Sequence, residues 1–339
     1  MRLSRVYVFV VISLVVLIWS CCSIDSAVVT LWGGATTVPK LIQIEVVSSS
    51  ALRVFFSERV QVRSAEVLSE SGSFVYCATA EYIPPVPASG AWHEVRFTVE
   101  TALDSGGSYY LAGIVSGSSG NSLSFAVPFT GFNDRVPRLI LNEIRFDYDK
   151  PKVEFIEINA LTAGNLAGVR LLNTANTADP FFEFPSIEVA AGEFIVFHFR
   201  SLEEGLVNEL GDDLAASAGT EALPTARDLW GTAVRAPLRK TNVILLEERK
   251  GGAVLDAFVG CESDKTEWPT VLLAEAAARA VREGAWGPDA STGSAVVTTG
   301  TSPTRTLGRT ELSVDTDRAV DWKIAPTGKA SPGKVNVPH

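Results

Sequence analysis

The chain has 339 residues, with 29 Lys and Arg against 39 Asp and Glu, a formal charge of −10. Its 46% hydrophobic and 20% charged residues suffice for real cores, and at about 150 residues per domain the length suits two of them. Three histidines and four cysteines leave little for a His-rich or all-cysteine zinc site, and the acidic balance argues against nucleic acid as a partner, because phosphate binding is driven by Lys and Arg.

Residues 1–20 read as a signal peptide. Arg2 and Arg5 form a positive start, and Val6 to Leu17 is apolar apart from Ser13. That run is shorter than the roughly 20 residues of a membrane span and has the length of an export-signal core. It ends in Leu17-Ile18-Trp19-Ser20-Cys21-Cys22, which resembles a bacterial lipoprotein signal. The resemblance implies that Cys21 is lipidated, with acyl chains such as palmitate, and becomes the first residue of the exported chain. An uncleaved signal anchor and cleavage near Ser26-Ala27 are the two other readings of this leader. Each buried CH2 contributes about 0.8 kcal/mol, so two or more acyl chains make a stable membrane anchor. Residues 21–38, with their Ser, Thr, Gly and Ala, then form a flexible tether. Cys77 and Cys261 fall in different predicted domains, so separate buried thiols are the plainer reading, and a disulfide would need the two to meet at an interface.

From Pro39 onward the period is two. Leu41-Ile42-Gln43-Ile44-Glu45-Val46 and Leu52-Arg53-Val54-Phe55 flank the turn Ser48-Ser49-Ser50, and His93 to Glu100 puts Val95, Phe97 and Val99 on one face. Half-buried strands between Gly/Ser turns predict an antiparallel sandwich or barrel. Val54-Phe55-Phe56-Ser57-Glu58-Arg59-Val60, Leu103 to Leu111, Gly120-Asn121 and Phe129-Thr130-Gly131 together resemble the bacterial Ig-like domain of S-layer and other surface proteins, over 39–132. Asn133-Asp134-Arg135-Val136-Pro137 then reads as a polar junction.

Further strands follow at Leu139 to Ile144, Val153 to Ile158, Leu166 to Leu172 and Phe194 to Phe199. In the last, Ile195, Phe197 and Phe199 share a face and His198 takes the other. Asn142-Glu143-Ile144, Glu154 to Ile158, Leu166 to Leu171, Ala191 to Phe197, Asn242 to Leu246, Gly252 to Val259, Arg305 to Arg309, Asp321-Trp322 and Ser331 to Asn336 resemble, in order, the lamin-tail domain, an Ig-like sandwich of nuclear lamins and bacterial exported proteins. The resemblance covers 138–337 and makes the expected fold all-β, two Ig-like sandwiches in tandem, the second with inserted short helices. Residues 201–241 form an insertion. Ser201 and Glu204 have capping-box spacing, and Leu202, Leu206, Leu210 and Leu214 recur every four residues, predicting an amphipathic helix weakened by Gly205 and Gly211. A second helix is predicted over Thr270 to Gly284, with Glu275 and Arg279 paired one turn apart.

The chain has no G-x-S-x-G, H-E-x-x-H or C-x-x-C motif, nor G-x-G-x-x-G after a strand. His93 and His198 read as surface strand residues, and His339 is the last residue. Glu143 and Glu157 can be written as an acid/base pair, but the resemblance implies that they mark the fold. Asp147-x-Asp149 on a turn, with Glu143 or Glu154 nearby, is a weak calcium candidate that lacks an EF-hand's Gly and distal Glu. The expectation is therefore no enzyme, no catalytic residue and no cofactor beyond lipid at Cys21. The chain would be a membrane-anchored envelope protein, periplasmic or at the cell surface, that binds a protein or matrix partner or acts as a structural spacer. The enzyme-linked alternative is an accessory module of an exported hydrolase system, a nuclease or phosphatase.

Overall fold

The structure is a computed structural model and describes residues 38–71, 75–84, 92–178, 181–233, 237–311 and 315–336. The predicted signal peptide, Cys21, Cys22, the tether up to residue 37 and His339 lie outside the described residues. The protein is an all-β fold.

The first sheet has seven strands: β1 (Leu41–Ser48), β2 (Ala51–Phe56), β3 (Val60–Ser69), β4 (Val75–Ile83), β5 (His93–Val99), β6 (Ser108–Gly117) and β7 (Ser122–Thr130), in the order β1-β2-β5-β4-β3-β6-β7. Alternation does here what the sequence predicts. Val95, Phe97 and Val99 of β5 are buried while Arg96 and Thr98 are exposed, and with Val54, Phe56, Val67 and Leu111 they build one core. Each such side chain contributes about 1.5–3 kcal/mol on burial.

The rest of the chain builds a second core between two larger sheets. Its strands are β8 (Leu139–Arg145), β9 (Phe155–Ala160), β10 (Gly164–Asn165), β11 (Arg170–Asn173), β12 (Phe181–Glu183), β13 (Glu188–Val189), β14 (Phe194–His198), β15 (Arg227–Trp230), β16 (Asn242–Glu247), β17 (Val254–Cys261), β18 (Val296–Val297), β19 (Leu307–Arg309) and β20 (Trp322–Ile324). One sheet runs β15-β14-β9-β8-β19-β20, the other β12-β11-β16-β17-β18, with β10-β13 as a small third. Pairing is antiparallel except for two short parallel pairs, β14 with β15 and β17 with β18. Ile144, Ile156, Ile158, Ile195, Phe197 and Leu229 point from the six-stranded sheet into the core, against Ile244, Leu246 and Phe258 of the five-stranded one. The polar junction is tied down: Asn133 Nδ2 donates to the carbonyls of Asn165 (2.6 Å) and Ala167 (3.0 Å), and Ser186 Oγ reaches back to Ser105 O at 3.2 Å.

The helix predicted after residue 270 is α1 (Val271–Arg282), capped by the Thr270 hydroxyl, which accepts from Leu273 N at 3.3 Å. Leu273, Ala276, Ala277 and Ala280 face inward, the i, i+3, i+4, i+7 stripe of a helix lying on a sheet. Arg279 bonds Glu283 and Glu247, not the expected Glu275. The other predicted helix is absent: residues 201–214 are turns and irregular chain. Gly205 takes φ +79 where a helix needs a negative value, and Leu210 points to solvent at 51% exposure. Four leucines at helical spacing are outweighed by backbone that hydrogen-bonds along β15 instead, with Glu209 N donating to Asp228 O at 3.1 Å.

A Gly205→Ala substitution separates the two geometries. In a helix it would stabilise by about 1 kcal/mol. At a left-handed turn it is expected to cost about 1–2 kcal/mol, read as a lower urea midpoint.

Candidate functional site

The concentration of chemistry lies on the outer face of the six-stranded sheet. Cross-strand register places Glu143 opposite Glu157, Glu157 opposite Val196, and Val196 opposite Asp228. Two residues along, Arg145, Phe155, His198 and Trp230 form the next row of the same face. These residues are buried. The surface-strand reading of His198 is thus corrected: it does oppose Phe197, but the inserted segment covers it. His93 is half-buried and meets the Tyr82 hydroxyl at 2.9 Å through Nδ1.

Glu143 and Glu157 are closed over by a C-terminal strap, residues 331–336. Ser331 N donates to both oxygens of Glu143 at 3.1 Å, and the Thr306 hydroxyl donates to it as well. Glu157 accepts from Asn142 Nδ2 at 2.5 Å and from Gly333 N. Gly333 has φ +73, and a Cβ there would stand 2.9 Å from Thr225 Oγ1, so a glycine is required between the carboxylate and the inserted segment. Asn336 Nδ2 locks the strap to the carbonyls of Arg309 (2.8 Å) and Asn142 (3.2 Å). Burial raises the pKa of Glu143 against the pull of its donors. Burial, with the neighbouring Glu143 charge second, holds Glu157 well above the usual carboxylate range.

Beside this pair, His198 Nε2 donates to Asp228 Oδ1 at 2.8 Å and the imidazole stacks on Trp230 at 3.9 Å. Asp228 Oδ2 accepts from Leu223 N at 2.6 Å, and Glu209 accepts from Asp228 N and Ser217 N. His198 Nδ1 meets no hydrogen-bonding group among the described residues, so no nucleophile extends the His–Asp pair into a relay. Arg145 pairs with Glu221 of the insertion, and Arg200 binds Glu154 through two bonds of 2.6 and 2.7 Å.

The calcium candidates are not brought together with those glutamates. Lys240 Nζ stands 3.1 Å from Asp147 Oδ2, Asp149 is exposed, and Glu154 is taken by Arg200. Asp256, Asp315 and Asp317 do converge, but Arg309 occupies the space between acids, at 2.8 Å from Asp256 and 2.6 Å from Asp315. Burial still pushes Asp256 up to about 6, with Arg309 opposing. Cys261 is a buried free thiol in β17, while the Cys77 side chain lies outside the described residues.

A different kind of site lies in the first sheet. Between β3 and β4 opens a groove of about 730 Å³, and across β3, against β6 and β7, a shallower one of about 500 Å³. Sequence reasoning missed both, because strand period does not report where two neighbouring strands part.

Comparison with known proteins follows the second core. The model of a family described as "TP_1001_2nd: protein second domain" matches residues 137–324, more than half of the chain. The chain belongs to this family. Its TP_1001_2nd region holds the carboxylate pair, the His–Asp pair and the inserted segment, while the strap at 331–336 lies past the matched residues. An uncharacterized protein of Treponema pallidum (strain Nichols) is 35% identical over 172 residues, 48% of this chain; the chain spans 43% of that relative's length. Among solved structures, the N-terminal part of the bacterial S-layer protein SbsC is 15% identical over 47% of this chain and 40% of its own, with a TM-score of 0.25. A DUF4876 family protein from Bacteroides thetaiotaomicron VPI-5482 is 12% identical, over 80% and 90%, with a TM-score of 0.33. Likenesses at these scores are too distant to bear on function.

Two measurements test the strap. Asn336→Ala leaves buried carbonyls without their donor and is expected to cost about 1–3 kcal/mol in urea unfolding. A carboxyl whose folded pKa lies above its unfolded value stabilises fully below the unfolded pKa, and this contribution is lost as pH rises toward the folded one. Glu157→Gln is therefore expected to show a smaller loss, or a larger gain, of unfolding free energy than the parent between pH 5 and 8. A variant curve parallel to the parent's would contradict the buried-carboxyl account.

Proposed function

We propose that the protein is a non-catalytic binding protein of the cell envelope, exported and held at a membrane by lipid on Cys21. One observation carries the non-catalytic part. The groups that would do acid/base chemistry, Glu143, Glu157, His198 and Asp228, lie under a strap and an insertion and spend their hydrogen bonds on backbone and neighbouring side chains. A general acid or base must reach substrate, within about 3 Å or through one water, and these groups face packed protein. The larger groove, in contrast, lies between two strand edges and is lined by short side chains together with Arg59, Arg63 and Tyr82, which suits recognition and not bond cleavage.

The lamin-tail reading of 138–337 fits the same picture. Asn142-Glu143, Glu157, Arg309 and Ser331 to Asn336, which carry that resemblance in sequence, meet in one hydrogen-bonded knot that closes the sandwich. The reading of 39–132 as a bacterial Ig-like domain assigns it to display, with the partner a protein or matrix component of the envelope.

Mass spectrometry of the native amino terminus tests the anchor: a diacylated or triacylated Cys21 is expected. Cys21→Ser is expected to move the protein from the membrane pellet to the soluble fraction. An unmodified amino terminus near Ala27 overturns the anchor. Hydrolysis of phosphoesters or nucleic acid by the purified chain, lost in Glu143→Ala, overturns the non-catalytic reading.

A further inference from the structure

The seven-stranded sheet has an open side. β3 pairs with β6 from Val60 to Ser69, but with β4 only where Glu66–Leu68 meets Val75–Cys77. From Ala78 to Ile83, β4 pairs with β5 instead. Along Val60–Ala65 and Ala78–Ile83, the two strand edges that face each other therefore have no ladder partner among the described residues. An unpaired edge presents a row of N–H and C=O groups spaced to receive another strand.

The groove between these edges, at about 730 Å³, has the size of a ligand site. Its walls leave the backbone accessible, because Ser64, Ala65, Ala78 and Ala80 are short. Its charge is one-sided. Arg59 and Arg63 line it, and among the described residues no carboxylate does. The Arg59 guanidinium rests over the Tyr82 ring at 4.8 Å, and Arg63 Nε donates to Ser116 Oγ at 2.9 Å. Neither arginine forms an ion pair among the described residues. Arg53 on β2, two strands from β4, is in contrast paired with both Glu45 and Glu94. Glu58, at the end of the groove, is held by the Ser118 hydroxyl at 3.0 Å.

We propose that this groove is a docking slot for an extended, acidic polypeptide strand of a partner protein, which adds to the β3 edge at Val60–Ala65 and sets its carboxylates against Arg59 and Arg63. The inference rests on the reading of the chain as a binding protein and names its recognition mode. Main-chain bonding supplies the affinity and alternate side chains the selectivity, as in strand addition generally. The whole-chain charge of −10 disfavours long polyanions, while a short strand meets the two cations inside a Debye length of about 8–10 Å.

The test uses the full mature chain in detergent and two fluorescein-labelled decapeptides, one alternating Val with Glu, the other Val with Lys. Anisotropy is expected to show at least tenfold tighter binding of the glutamate peptide. Arg59→Ala with Arg63→Ala is expected to abolish the preference without changing the urea midpoint, since both side chains are surface groups. Hydrogen exchange at Val60–Ala65 is expected to slow on binding. Equal affinity for the two peptides, exchange unchanged at those amides, or equal competition by oligo-dT overturns the slot. Such a failure with lipid present on Cys21 leaves the anchored-protein reading standing, and an amino terminus without lipid leaves the peptide result standing.

Discussion

A carboxylate taken out of water costs several kcal/mol unless donors reach it, and this constraint organises the whole second half of the protein. The outer face of the six-stranded sheet carries Glu143, Glu157 and Asp228 in one row, too close together and too apolar in setting to be left bare. Their own strands supply one of the needed donors, Asn142. Asp228 is served from nearby, by Leu223 N and His198 Nε2, but the other donors to Glu143 and Glu157 come from far along the chain: Thr306, Ser331 and Gly333 stand 163 to 188 positions from the carboxylates they serve. Burying the row therefore requires the strap and the insertion to be in place. The strap in turn is held there by those acceptors and by the carbonyls that Asn336 meets. Cover and charge specify each other.

That reciprocity explains why some of the design was legible from sequence and some was not. Alternation sufficed for β5, where one face is wet and Val95, Phe97 and Val99 face the core. In β8, β9 and β16 every residue is buried, because both faces are covered. There, alternation still tells which residues share a face, and so sets His198 opposite Phe197, but it does not tell which faces are wet. Glu143 and Glu157 stood out only through the motif they belong to. Apart from Asn142, their donors are beyond any local pattern. The leucines of 202–214 show the opposite failure, a local pattern without the tertiary context to support it: the same stretch earns more from Glu209 and Arg227 bonding across the sheet edge than from a short helix interrupted by glycine.

Arg309 repeats the logic at smaller scale. It sits among Asp256, Asp315 and Asp321, with its Nε donating to Leu141 O at 2.6 Å, so two of the three converging acids, Asp256 and Asp315, already have a cation of the protein's own. An arginine there is fixed by carbonyl and carboxylate together, a planar fork that lysine does not reproduce. The cluster ties β8, β17 and β19 through one side chain, and it belongs with the strap as a closure of the second sandwich.

The two cores thus divide their surfaces differently. The second hides its ionisable groups under covering chain and has both faces of its central strands occupied, so what it offers outward is loop and helix. The first is thinly covered: β7 alternates exposed and half-buried along its length, and where β3 and β4 part, each keeps a ladder partner on one side only, β6 for β3 and β5 for β4. Natural sheets blunt such edges with charge and bulges, and β3 carries both, a cation at Arg63 and a register shift between Val62 and Ser64. Those features suppress self-pairing through like-charge repulsion between copies while leaving an opposite charge free to approach. In the proposed slot, the open β3 edge beside Arg59 and Arg63 would resist a second copy of itself and accept a strand of the opposite sign.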